Sequence, residues 1–174
     1  MDHKPGITLI ELLVYIGVST IVLLATTGLA YSLLATHEQT KAMTEVTSTA
    51  GQALTLLGHE IENAYSIDSS SALGIDLAQT TGSVTLHARP TQRDPLVMTV
   101  SDGALILSIG SQTNQRLTPD DITVTHFIAK NLSTANGRSA HLSITLTVQK
   151  AVGYGLGAYQ DTFTLSTELQ DYAP

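Results

Sequence analysis

The sequence predicts an α+β fold, with a long N-terminal helix, part transmembrane and part amphipathic, packed on an antiparallel β-sheet. Three observations predict it. From Leu12 to Thr36 the chain carries no Asp, Glu, Lys or Arg. From Met43 to Ala64 apolar residues recur at three- and four-residue steps, the period of one helix face. Beyond Val84 the period falls to two, and hairpin signals separate the runs.

The chain has 174 residues, enough for one modest domain plus an appendage. Its 8 Lys+Arg against 15 Asp+Glu leave a net charge of −7. No basic patch is visible, so direct nucleic-acid binding through a broad electrostatic surface is not expected. Cysteine is absent, so stability comes from packing rather than from a staple.

The uncharged run spans about 25 residues, enough to cross a bilayer as a helix. Residues 7–36 are assigned to this span, after a polar leader, residues 1–6. Lys4 precedes the span and marks the cytoplasmic side, which places the C-terminal part of the chain outside the cytoplasm. Past His37 helical spacing continues through Met43, Val46, Ala50, Leu54, Leu57, Ile61 and Ala64, with Glu38, Lys41, Glu45, Glu60 and Glu62 between them. Residues 37–67 therefore read as an amphipathic continuation of the helix. The whole rod has about 60 residues and a length of roughly 85–90 Å. Asp68-Ser69-Ser70-Ser71 and Gly74 end it.

Residues 68–174 are assigned to the sheet domain. Val84–Ala88 alternates; Leu96–Val100 and Leu105–Ile109 flank Asp102-Gly103, a two-residue hairpin signal. Ile122–Phe127 and His141–Val148 flank a connection containing Asn136-Gly137, and Thr162–Leu169 is the last strand. In the fifth of these runs Leu142, Ile144, Leu146 and Val148 share one face, and Ser143, Thr145 and Thr147 the other. One apolar face per strand asks for one cover, and the amphipathic half of the helix supplies it.

Glu11 is the anomaly, a carboxylate inside an otherwise uncharged apolar stretch. A charge at the bilayer centre costs about 2.5–3.5 kcal/mol on insertion scales. The residues around it form a pattern: Gly6, then Ile7-Thr8-Leu9-Ile10-Glu11-Leu12-Leu13-Val14, after a short leader containing Lys4. This resembles the processing site of type IV prepilins and type II secretion pseudopilins. The segment LTPDDITVTHFIAKN, residues 117–131, resembles minor pseudopilins of the J type.

The resemblance implies a pilin-like fold and cleavage after Gly6 by a prepilin peptidase, which also N-methylates the new first residue, Ile7. Cleavage would give Ile7 an α-amine one helical turn before Glu11, and a cation and an anion at that spacing can pair. In the family the acid is thought to meet the amine of a neighbouring subunit, and that assembly role is carried onto Glu11. The implied partners are the peptidase, other pilin or pseudopilin subunits through the N-terminal helix, the inner-membrane assembly platform and the bilayer. The implied location is the cytoplasmic membrane, single-pass, and then a pilus or pseudopilus. Gly28 stands where many members carry Pro, and the absence of Cys excludes the C-terminal disulfide of many major pilins. Gly also loosens a helix, so local melting on assembly stays open, and the missing disulfide favours a minor subunit or pseudopilin.

Two other readings compete. In an ordinary secretory signal, Leu12–Leu24 would be the apolar region and Gly28-Leu29-Ala30 the cleavage pattern, giving a mature start at Tyr31. Glu11 is badly placed for that, since signal cores avoid charge. In an anchored binding module the helix would only tether the sheet domain. No residue pattern favours an enzyme: no Ser-His-Asp or paired-carboxylate constellation follows from spacing, and no catalytic or cofactor-binding residue is assigned. The six histidines, His3, His37, His59, His87, His126 and His141, show no metal-ligand spacing, although His126 and His141 could be cross-strand neighbours. Asp120-Asp121 reads as a turn, Gly153–Gly157 as a hairpin connection, and Asn131-Leu132-Ser133 fits the glycosylation pattern formally.

Overall fold

The structure, a computed structural model, describes residues 8–111, 114–133, 140–153 and 155–169. One helix, α1 (Leu9–Glu62), precedes eight strands: β1 (Ala64–Ile67), β2 (Ser83–Ala88), β3 (Leu96–Ser101), β4 (Ala104–Ile109), β5 (Gln115–Arg116), β6 (Ile122–Asn131), β7 (His141–Ala151) and β8 (Ala158–Glu168).

The helix runs unbroken for 54 residues, through Gly17 and Gly28. The Thr8 side chain caps its start by accepting the Glu11 N–H at 3.3 Å. In the apolar half, Thr20, Thr26 and Thr27 donate their hydroxyls to carbonyls three or four residues back. Those polar groups are therefore satisfied without water. The second half buries Ala42, Val46, Ala50, Ala53, Leu54, Leu57 and Ile61. Met43, expected on the inward stripe, is exposed, and Ala42 points in instead. The helix also ends earlier than its periodicity suggests. Asn63 caps it, and Ala64, which fits the helical spacing, opens β1.

The strands form two antiparallel sheets, ordered β1-β2-β3-β4-β5 and β6-β7-β8. This corrects the expectation of a single sheet laid on the helix. A helix about 10 Å across spans only about two strands spaced 4.8 Å apart. It lies mainly on β7 and β8, with a lesser contact to β2. The five-stranded sheet closes over the same core instead of extending the other. Leu86, Leu96, Met98 and Leu107 from one sheet meet Phe127, Leu142, Ile144 and Leu146 from the other, with Leu57 and Ile61 of α1.

One backbone bond joins the sheets here: Val124 N–H donates to Gly103 O at 2.7 Å, while Leu117 N–H to Leu105 O at 2.8 Å continues the β4–β5 pairing. Leu105 N–H donates to the buried Thr118 hydroxyl at 3.1 Å. The Asp102-Gly103 turn forms as expected, with φ of 52° and 71°, as a two-residue hairpin turn with both central residues left-handed requires. On β7, Leu142, Ile144, Leu146 and Val148 are all fully buried. The Asn136-Gly137 connection lies outside the described residues.

Candidate functional site on the exposed half of the helix

Every large apolar side chain from Leu9 to Leu34 is exposed. The most apolar stretch of α1 has no buried residue. Monomeric soluble proteins rarely show contiguous apolar patches beyond a few hundred Å², and larger ones mark membrane or protein contacts. By length and composition α1 is long and apolar enough to cross a bilayer, which is consistent with single-pass anchoring.

Glu11 lies in the first turn of this surface. With Ile10, Val14, Tyr15 and Val18 it lines a shallow, almost wholly apolar groove along one helix face. Thr8 at the cap and Glu11 three residues on form the capping-box pattern, and a first-turn acid is favoured by the helix dipole. Thr8 thus caps the helix through the Glu11 N–H, which sequence reading missed, although the Thr-x-x-Glu signal was there to find. Gly6 and Ile7, the expected cleavage and methylation positions, lie outside the described residues.

The ion pairs elsewhere hold the sheets to the rod. Lys150 on β7 binds Glu45 of α1 and Asp121 before β6. Asp121 first, then Glu45, raises its pKa against the opposing effect of burial. Arg93 binds the buried Glu60 near the end of α1. Asp120-Asp121 is a turn before a strand, as expected.

His87 and His126 take structural partners. His87 presents Nδ1 to Asp94 at 2.9 Å and Nε2 to Asp68 at 3.2 Å. The Asp94 hydrogen bond chiefly raises its pKa. His126 meets Asp76 at 2.5 Å. Burial pushes the Asp76 carboxyl up, but hydrogen bonds from the Phe127 N–H, His126 and the Ala78 N–H together hold it below its ordinary value. His126 and His141 are not cross-strand neighbours. A bulge between Val124 and His126 sets His126 opposite Thr147, and His141 lies opposite Glu168. Among the described residues no group of three or more His, Cys, Asp or Glu could hold a metal ion.

No family model, curated protein or solved structure matches this chain.

Proposed function

We propose that the chain is a prepilin-like structural subunit, cut after Gly6, methylated on Ile7, and assembled as a minor component of a type IV pilus or type II secretion pseudopilus. One observation carries this reading: a continuous 54-residue helix whose N-terminal half is bare and apolar, with a lone carboxylate in its first turn. The bare half stores the subunit in the cytoplasmic membrane. It then packs against equivalent helices, where apolar burial supplies most of the stability and the Ile7 amine and Glu11 set the register. The mechanism is assembly, not catalysis.

The experiment is a pair of Glu11 variants, followed by N-terminal sequencing and by filament incorporation. Both Glu11→Gln and Glu11→Ala should insert and be cut to start at Ile7, and both should fail to enter filaments. Gln keeps the size and polarity of the side chain but not the charge, and both variants keep the backbone N–H that Thr8 caps. Normal incorporation of the Gln variant would show that the charge pair is not needed. A mature start at Tyr31 would end the proposal.

A further inference from the structure

The two sheets have four outer edges, and three are defended. Edge strand β1 has only four residues and a bulge against β2, and β5 has two. The edge of β6 is covered by the chain itself. Gly74 N–H donates to Ala129 O at 2.7 Å and Leu77 N–H to Phe127 O at 2.9 Å, and the Gln79 side chain reaches Thr125 O. The fourth edge, β8, is eleven residues long and pairs with β7 without a bulge from Ala158 to Glu168. It contains no Lys, Arg or Pro. Proteins usually blunt such an edge, because its unpaired groups are a template for another strand.

The hydrogen-bond phase shows which groups are open. At the two ends of the β7–β8 pair, Leu169 N–H donates to Ala140 O and Val152 N–H to Gly157 O. Between them the odd residues of β8 exchange bonds with β7, since bonded pairs alternate in an antiparallel ladder. Gln160, Thr162, Thr164 and Ser166 therefore turn their N–H and C=O groups outward. Of these, Thr162 N–H is taken by the Asp161 carboxylate at 2.8 Å. The others have no backbone partner among the described residues.

We propose that the open edge of β8 docks an extended, uncharged or basic strand of a different polypeptide, which adds to the three-stranded sheet through main-chain hydrogen bonds. The charge preference follows from Asp161 and Glu168, the only charged residues on β8. The partner is not a second copy in antiparallel self-pairing. Tyr159 lies beside Gln39 and Leu165 against the position of Gly58, so β8 runs the same way as α1. A two-fold axis across β8 would point the two apolar helix halves in opposite directions, which one bilayer cannot accommodate. The proposal goes beyond filament assembly and does not depend on Glu11.

The test uses the full chain in detergent micelles and a synthetic peptide with the sequence of β7, HLSITLTVQKA, which already matches β8 across the ladder and carries a Lys but no acid. Amide exchange at Gln160, Thr164 and Ser166 should be fast in the chain alone and slow roughly tenfold or more with peptide, as for amides entering a ladder. Thr164→Val, which keeps the N–H, should preserve the effect, and Thr164→Pro should abolish it. The same peptide methylated on alternate backbone nitrogens should give no protection, which leaves the protein itself unaltered. No slowing at saturating peptide, or equal slowing with the methylated peptide, would overturn the proposal. So would protection that grows with chain concentration alone, which would make a second copy the partner.

Discussion

Gly103 meets two constraints at once. Its φ of 71° lies where side chains are strained, and an added Cβ would sit 2.7 Å from Thr123 Cγ2. Gly155 has the same φ with open space around it. Gly103→Ala should therefore cost more than Gly155→Ala, by about 1–2 kcal/mol, in thermal melts of the full chain in detergent. Equal losses would mean that the contact with β6 relaxes freely. The turn itself was legible, because Asp-Gly between alternating runs has one favoured geometry. The clash was not, since Thr123 belongs to the other sheet. Glu11 was legible as an anomaly and as a motif, whereas its cap from Thr8 was not recognised. Met43 falls off the buried stripe because a run of three- and four-residue steps can begin on either of two adjacent residues.

At the scale of elements, His87 ties β2 to Asp68, just past β1, and to Asp94, just before β3. A histidine whose folded pKa is raised stabilises fully below its unfolded value, about 6.5, and loses that contribution as pH climbs through the folded value. Asp68, whose pKa is lowered chiefly by Ser70, contributes above its ordinary value near 3.8 and fails on acidification. Melting temperature should thus be highest between these limits and decline towards pH 8. His87→Gln should flatten the alkaline decline in a melt series across pH, and an unchanged decline would exclude His87 as its source. The six longer strands were readable to within a few residues of their ends from alternation. The two missed strands, β1 and β5, have four and two residues, too few to show a period. β1 was further hidden because Ala64 continues the helical stripe.

For the whole molecule, burial divides α1 sharply, since within the helix no buried residue precedes Ala42. A chain starting at Thr36 should keep its strand circular dichroism and cooperative melting, and should stay monomeric without detergent in gel filtration. Loss of the melt would show that the apolar half supports the sheets. The boundary between halves was legible because charge returns at Glu38. The split into two sheets was not, because hydrophobic alternation says which face of a strand is buried but not which sheet it joins.

The unbroken course of α1 from Thr36 to Glu62 has a mechanical corollary. Those 27 residues form a stiff lever about 39 Å long, and the domain is bolted along it by Lys150 and Arg93. Spanning helices commonly lean by about 20°. Were a bilayer to hold the lower segment, such a lean would carry the tip about 13 Å sideways. The domain's reach would then be steered from below, without any change in its own shape.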